Sequence, residues 1–277
     1  MTQVLRYAAF SDDPAGGNPA GVVLEADLTD AARMQRVAAE IGDSETVFVR
    51  RNDSDSVNVR YFAPATEVPF CGHATIAAAV ALAERDGPGE IRFETQAGVV
   101  PVVTRSVAGR LLATLVSVDP DVREVDESVQ SAALAALGWH REDLNPLFPV
   151  RSAYAGAEHL ILVARTRQRL AHLDYDVESL RTLMQAHNWT TVHLAWPQSA
   201  DLHHVRDPFP VGGVYEDPAT GAAAAAYGAY LRELGAVPED GSITLLQGED
   251  MGRPSRLEVQ LVTGDPRVRV SGTAVAI

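Results

Sequence analysis

Two segments of this chain consist almost entirely of small apolar residues. They are HATIAAAVALAER at 73–85 and GAAAAAYGAYLREL at 221–234. A helix on a protein surface shows an apolar stripe of limited width, whereas these segments are apolar on nearly every face over their first turns. Two such helices must be buried on all sides, and each needs a shell of other elements around it.

The rest of the chain predicts mostly strands. Apolar and β-branched runs bounded by Gly, Pro, Asn and Asp predict strands at 3–10, 20–24, 45–51, 57–62, 90–96, 99–105, 110–117, 147–154, 158–164, 190–196, 202–207, 242–247, 256–263 and 267–277. Helices are expected at 29–41, 73–85, 127–137, 176–187 and 220–234. Strands and helices do not alternate as in a doubly wound sheet, so a sheet-rich α+β fold is favoured.

The simplest architecture that buries both Ala-rich helices has two similar halves. Each half is a barrel-like curved sheet around one central helix, and Gly72 and Gly221 take equivalent positions. The acidic, Pro-containing stretch 118–127 marks the boundary. We expect one domain at 1–117, completed by 267–277, and a second at 118–266. The alternative is that both Ala runs are good helix formers packed on a flat sheet.

Charge and composition limit the partners. The chain has 277 residues, with 23 Lys and Arg against 37 Asp and Glu, giving a formal net charge of −14. Such a surface repels nucleic acid and anionic membranes, so neither is expected as a partner. The sequence has no basic stretch followed by an apolar leader and no apolar run of about 18 residues. With a single cysteine, these features predict a cytoplasmic protein.

The starts of the two Ala-rich helices are the places where chemistry is expected. Backbone N–H groups at a helix N-terminus bind anions, which predicts a small carboxylate-bearing substrate. The candidate side chains are Glu45, at the start of a strand, His73 and Asp217, each beside a helix start. Each also has a simpler interpretation. Glu45 could be a surface residue, His73 a solvated helix-terminal residue, and Asp217 a turn or N-cap residue.

Other catalytic patterns are absent from the sequence. The histidines show no HxxxH or HxH spacing for zinc, and the Gly-rich pieces match neither GxGxxG nor the P-loop form. No serine lies in a nucleophile elbow, which argues against a hydrolase. We therefore expect no metal and no cofactor.

Five motifs give the chain a family resemblance. They are FSDDPAGGNPAGV at 10–22, DSETVFV at 43–49, RYFAPATEVPFCGHATIAAA at 60–79, EDPATGAAA at 216–224 and QGEDMGRPS at 247–255. The chain thereby resembles the PhzF-like family of phenazine-biosynthesis isomerases and their homologues. The resemblance implies a fold of the diaminopimelate epimerase type, a site in the cleft between two domains, and a homodimer.

The resemblance also implies roles for single residues. The general acid/base glutamate of the family falls on Glu45, its Gly-His pair on Gly72 and His73, and its catalytic aspartate on Asp217. The substrate-binding residues are expected to be Gly72, Gly221, Ala222, Asn18 and Cys71. Ala222 stands where the phenazine enzymes often carry Ser, which puts the phenazine substrate in doubt.

The single thiol limits the mechanism. The related epimerases use two cysteines, one on each face of the substrate, but Cys71 is the sole cysteine of this chain. A two-thiol racemase mechanism is therefore excluded, and Cys71 is interpreted as a small packed residue.

The resulting hypothesis is a cofactor-independent isomerase. It moves a proton within a small unsaturated or amino carboxylic acid, with Glu45 as the acid/base group. Two alternatives stay open. One is an epimerase or racemase that exchanges a proton without two cysteines, and the other is a non-catalytic protein that binds small acids or a partner on the same fold.

Overall fold

The structure is a computed structural model that describes residues 3–52 and 55–277. Its strands are β1 Leu5–Ala9, β2 Asn18–Val23, β3 Glu45–Arg51, β4 Ser56–Phe62, β5 Glu67–Val68, β6 Glu90–Thr95, β7 Gly98–Val107, β8 Arg110–Val116, β9 Asp121–Glu124, β10 Arg151–Tyr154, β11 Glu158–Val163, β12 Thr191–Pro197, β13 Leu202–Pro208, β14 Glu216–Asp217, β15 Ser242–Gln247, β16 Ser255–Val262 and β17 Asp265–Ala276. The helices are α1 Ala31–Ile41, α2 Gly72–Asp86, α3 Glu127–Leu137, α4 Arg167–Ala171, α5 Val177–His187 and α6 Gly221–Glu233.

The chain divides into two compact units. Unit 1 comprises Met1–Val116 with Ser271–Ile277, and unit 2 comprises Ser117–Val270. Strand β17 contributes its last residues to unit 1 and its first residues to unit 2. The domain bounds expected from the sequence, 1–117 with 267–277 and 118–266, stay a prediction.

Unit 1 is a closed sheet of eight strands around α2. Neighbouring strands pair in the order β1, β2, β3, β4, β6, β7 and β8, with parallel pairs at β2–β3 and β4–β6. Strand β17 pairs with both β1 and β8 and so joins the two ends of the row. Helix α2 contacts strands on both sides of that join, including β2, β3, β7 and β8.

The composition of α2 explains its central position. Every residue from 73 to 83 is buried, so this part of the helix has no solvated face. Its small Ala side chains let strands approach closely, and the hydroxyl of the buried Tyr61 on β4 hydrogen-bonds to Thr75 of the helix. Ala78 is fully buried, as the sequence predicts.

Unit 2 repeats the plan around α6. Strands pair in the order β9, β10, β11, β12, β13, β15 and β16. Helix α6 contacts both β9 and β16, the two ends of that row, so the sheet curves around it. A Cβ placed on Gly228 would lie 2.7 Å from Cγ1 of Val259. Glycine at this position therefore allows the close approach of helix and sheet.

The outer faces of the sheets carry the remaining helices. In unit 1, Met34 and Ala38 of α1 pack with Phe48 and Phe62 of the sheet. In unit 2, α3 and α5 pack on strands β11 and β12 in a larger apolar cluster. Its members include Leu134, Leu137, Leu160, Leu162, Leu180, Met184, Val192 and Leu194. Within the described part of the chain, no helix is both long enough and apolar enough to cross a membrane.

The expected α+β fold with two barrel-like halves and central Ala-rich helices is confirmed, and the flat-sheet alternative is wrong. The stretch 118–127, expected to be only a crossing, contains strand β9, which pairs with β10 about thirty residues further along. The two-residue strands β5 and β14 and the five-residue helix α4 were not expected. Such short elements depend on their distant partners and leave little local periodicity.

Candidate functional site

Glu45 begins β3 at the end of a short, anchored connection. Gly42, whose φ of 72° is left-handed, is the C-cap of helix α1, and Glu45 then aligns with Ala20 of the parallel strand β2. Arg6 donates two hydrogen bonds to the carboxylate of Asp43 in this connection. The Glu45 side chain is only 14% exposed. The residue is therefore not the surface strand-start residue of the simpler interpretation.

The start of α2 places two further side chains in the same region of unit 1. Cys71 is the N-cap in an extended conformation, Gly72 is the first helical residue, and His73 follows with a buried ring. The hydroxyl of Thr75 donates to the carbonyl of Cys71 at 2.7 Å, and Tyr61 hydrogen-bonds to that hydroxyl at 2.6 Å. These buried contacts fix the first turn of the helix.

Glu45, Cys71, His73 and Asn18 form one cluster. Nε2 of His73 lies 3.3 Å from Oε2 of Glu45. Sγ of Cys71 lies 3.3 Å from Nδ1 and 3.8 Å from Nε2 of the same ring. The side-chain nitrogen of Asn18 lies 3.2 Å from Nδ1. Four of the residues singled out in the sequence are thus brought together within unit 1.

The contacts assign the tautomer of His73. The amide of Asn18 directs its NH2 group toward the ring, and its Oδ1 accepts a hydrogen bond from the hydroxyl of Ser44 at 3.2 Å. An amide N–H can only donate, and Nδ1 must therefore be the unprotonated, accepting nitrogen of a neutral ring. Nε2 then carries the proton and donates it to the carboxylate of Glu45.

Burial moves the pKa values of the two partners in opposite directions. Removal from water raises the pKa of Glu45 to about 7, and a hydrogen bond from Cys71 opposes part of that rise. Burial lowers the pKa of His73 to about 3, because the charged imidazolium is poorly solvated there. Near neutral pH the cluster therefore holds a neutral imidazole beside a carboxyl group that can take or release a proton.

The cluster also contains three potential metal-binding groups. One donor atom from each of Glu45, Cys71 and His73 can be chosen so that all three lie within 4.8 Å of one another. A histidine that binds metal through Nε2 carries its proton on Nδ1 and donates it to an acceptor. Here Nδ1 faces the NH2 group of Asn18, which is a donor. The surroundings of the ring therefore do not suit a metal ion bound at Nε2.

Unit 2 carries Asp217 in strand β14. It pairs with Asp207 of β13 and is buried. The hydroxyl of Thr220 donates to Oδ2 of Asp217 at 2.6 Å. The side chain of Gln247 donates to the carbonyl of Asp217 at 2.8 Å. Asp217 is therefore part of a buried polar network as well as of the turn expected from the Asp-Pro pair.

Helix α6 begins at Gly221, directly after this turn. Its N-cap, Thr220, makes no side-chain capping bond within the described residues, and the same is true of the N-cap of α2, Cys71. Gly221 is buried, whereas Ala222 is partly accessible. Uncapped N–H groups at a helix start can hydrogen-bond an anion, which agrees with the chemistry expected at these positions.

Several residues that shape the site were not singled out from the sequence. They are Ser44, which hydrogen-bonds to Asn18, and Thr220 and Gln247, which contact Asp217. Arg206 also belongs here, because it pairs with the carboxylate of Glu216 inside unit 2. Gln247 is the first residue of the motif QGEDMGRPS, and Glu216 is the first residue of EDPATG. Both motifs therefore indicated these positions, but neither predicted the hydrogen bonds that the two residues make.

Comparison with known proteins relates the whole chain to one family. Residues 7–277 match the family described as phenazine biosynthesis-like protein. The chain belongs to this family. It is 32% identical to the uncharacterized isomerase YfhB of Bacillus subtilis, over 99% of this chain and 96% of the relative. It is 30% identical to trans-2,3-dihydro-3-hydroxyanthranilate isomerase of Pseudomonas aeruginosa, over 97% of this chain and 94% of that enzyme.

A solved structure supports the same assignment. The predicted epimerase PA4716 from Pseudomonas aeruginosa matches with a TM-score of 0.88 and 26% identity, over 100% of this chain and 97% of the other. The resemblance inferred from the five motifs is thus confirmed, and the protein is a phenazine biosynthesis-like isomerase.

Proposed function

We propose that this isomerase moves a proton between two carbon atoms of a small unsaturated or amino carboxylic acid, with Glu45 as the group that takes and returns it. The observation that carries the proposal is the contact of 3.3 Å between Glu45 and His73 in a buried site. A base that must later act as an acid works best when its pKa lies near the working pH, and burial raises the pKa of Glu45 to about 7.

His73 acts in this mechanism as a hydrogen-bond donor. With its pKa lowered to about 3, the ring stays neutral and is a poor source of protons at neutral pH. Its Nε2–H stabilises the carboxylate form of Glu45. When Glu45 has accepted the substrate proton, the same N–H can turn to the negative charge that develops on the substrate. His73 therefore tunes the base and supports the intermediate without changing its own protonation state.

The substrate carboxylate would be held by helix N-termini. We infer that the N–H groups at Gly72 and at Gly221 and Ala222 bind it, with Asp217 holding a polar group of the substrate. This arrangement requires the substrate to lie in a cleft between the two units. The homodimer implied by the family resemblance remains a prediction that solution mass measurements can check.

The substrate class is open to a direct test. The protein is incubated in heavy water with trans-2,3-dihydro-3-hydroxyanthranilate and with a panel of small unsaturated and amino carboxylic acids, and deuterium uptake into carbon is followed by NMR. We expect enzyme-dependent uptake together with double-bond migration in at least one compound. Binding without uptake across the whole panel would contradict the proposal and favour a non-catalytic binding protein.

Epimerisation is the second candidate function. It is favoured by the likeness to a solved structure described as a predicted epimerase. A thiol also lies beside the proposed base, since Cys71 is within 3.3 Å of the His73 ring. In that reaction deuterium enters at a stereocentre and the configuration is lost, whereas no double bond moves. The same NMR spectra distinguish the two outcomes.

A further inference from the structure

Gln247 is a buried side chain in unit 2 whose polar atoms all face the turn between Asp217 and α6. It is 1% exposed. Its Nε2 donates to the carbonyl of Asp217 at 2.8 Å and to Oγ1 of Thr220 at 3.0 Å. Its Oε1 accepts from the backbone N–H of Thr220 at 3.0 Å. Both amide protons and the carbonyl oxygen are used, so the amide has one allowed orientation.

That orientation sets the direction of the next hydrogen bond. Because Oγ1 of Thr220 accepts a proton from Gln247, the hydroxyl directs its own proton elsewhere. The carboxylate of Asp217 lies 2.6 Å away and receives it. Hydrogen bonds in such a chain polarise one another, and a bond to a charged acceptor is stronger than one between neutral groups. Gln247 thus favours the orientation of the Thr220 hydroxyl that donates to the side chain of Asp217.

The same hydroxyl would otherwise cap α6. A threonine N-cap ordinarily accepts a hydrogen bond from an N–H in the first helical turn. Thr220 makes no such bond within the described residues, because its side chain is turned toward Asp217. The amide of Gln247 therefore has two effects, since it helps to align the carboxylate of Asp217 and keeps the Thr220 hydroxyl from capping α6.

The chain on the N-terminal side of Asp217 is held by other contacts. Arg206 pairs with the carboxylate of Glu216, and both residues are buried. Arg206 also donates to the carbonyl of Ala171 at 2.6 Å. The backbone that leads into Asp217 is therefore held independently of Gln247. Gln247 therefore acts on the conformation of the turn after Asp217 and on the direction of the Thr220 hydroxyl.

We propose that Gln247 is a positioning residue of the isomerase, which orients the Asp217 carboxylate and keeps the start of α6 open for the substrate. The importance of this for turnover rests on the proposed function of Asp217, whereas the positioning itself does not. Replacement by glutamate is the sharpest change. Its oxygens would accept the Thr220 proton, taking it from Asp217, and would repel the carbonyl of Asp217.

The experiment follows the 13Cγ resonance of Asp217, assigned by its loss in Asp217→Asn. We expect Gln247→Glu to shift this resonance and Thr220→Val to shift it similarly, with no additive shift in the double variant. Gln247→Leu should give a smaller shift, because the hydroxyl can still donate to Asp217. The control is Gln260→Glu, an exposed position of β16 in the same unit, which should leave the resonance unchanged.

An unchanged Asp217 resonance in either folded Gln247 variant would overturn the proposal, as would fully additive effects of Gln247→Glu and Thr220→Val. If the buried glutamate of Gln247→Glu prevents folding, the resonance is measured in Gln247→Leu instead. With a substrate from the heavy-water panel, Gln247→Glu should lower kcat by about 10- to 100-fold and change KM less. Full turnover in Asp217→Asn would instead refute the proposed function of Asp217 and leave the resonance result valid.

Discussion

The side-chain nitrogen of Asn18 lies 3.2 Å from Nδ1 of His73, and this contact determines which ring nitrogen carries the proton. The oxygen of the same amide accepts a hydrogen bond from the hydroxyl of Ser44. The protonated Nε2 is therefore directed at the carboxylate of Glu45. In this arrangement Asn18 acts on Glu45 through His73. It thus decides whether the imidazole donates a hydrogen bond to Glu45 or competes with it for a proton.

Exchanging the amide of Asn18 for a carboxylate should reverse the tautomer. In Asn18→Asp, an acceptor faces Nδ1 and draws the ring proton to that atom, so Nε2 no longer donates to Glu45. We expect turnover to fall by about tenfold or more. The ring 15N chemical shifts of His73 should show protonation moving to Nδ1. The variant Ser44→Ala should cause a smaller loss of turnover. Ring 15N shifts of His73 that stay at their wild-type values in Asn18→Asp would contradict the tautomer assignment.

The Cys71 thiol should tune the pH dependence without being essential. Its hydrogen bond lowers the pKa of Glu45 against the larger effect of burial, which leaves that pKa at about 7. Cys71→Ala removes the bond and should raise the pKa further. Because the base must be deprotonated, activity is lost as the pH falls through this pKa, and the acidic limb of kcat/KM should move to higher pH. Near-complete loss of activity at every pH would show that the thiol is essential.

Buried histidines in unit 2 should make the protein less stable in acid. Burial lowers the pKa of His159 to about 3 and that of His203 to about 4, below the ordinary value of 6.5. Between these values the unfolded chain binds protons that the folded chain does not. The contribution of each such histidine to the free energy of unfolding should therefore be greatest above about pH 6.5 and should fall by about 1.4 kcal/mol per pH unit as the pH decreases toward its folded-state pKa.

Substitution of one histidine tests this linkage. His159→Gln should reduce the slope of unfolding free energy against pH, measured by urea denaturation between about pH 6 and 4. The control is Gln185→Ala, at an exposed and uncharged position of α5 in the same unit, which should leave the slope unchanged. Equal slopes in wild type and His159→Gln would show that His159 is protonated to the same extent in the folded and unfolded states.

The sequence was most informative where local pattern and burial agree. The run ETVFVRR predicted β3 at 45–51 with its observed bounds, because β-branched residues begin soon after Gly42, which terminates the preceding helix. The Ala-rich segments identified α2 and α6 as central, because residues without large side chains or charges have no reason to face water. Strand β9 was missed, because its partner β10 is distant in sequence.

The residues of the candidate site were likewise predictable only where the local sequence pattern identified them. Glu45, His73 and Asp217 could be named because each stands at a helix or strand start within a family motif. Their environment could not be predicted, because the contacts of Asn18 with His73 and of Gln247 with Asp217 join residues that are far apart in the chain. Burial of Glu45, which gives its carboxyl group a pKa near neutrality, likewise depends on the folded sheet around α2.

The most direct test of the account is solvent exchange by Glu45→Gln. The amide keeps the shape of the side chain and can still accept a hydrogen bond from His73, but it cannot take a proton from carbon. Glu90, an exposed residue that also begins a strand of unit 1, supplies the control Glu90→Gln.

With the substrate found in heavy water, Glu90→Gln should incorporate deuterium at the wild-type rate. Glu45→Gln should bind the substrate with similar affinity and lose at least about 10²-fold in deuterium incorporation and turnover. Deuterium incorporation by Glu45→Gln at the wild-type rate would contradict the assignment of Glu45 as the acid/base group.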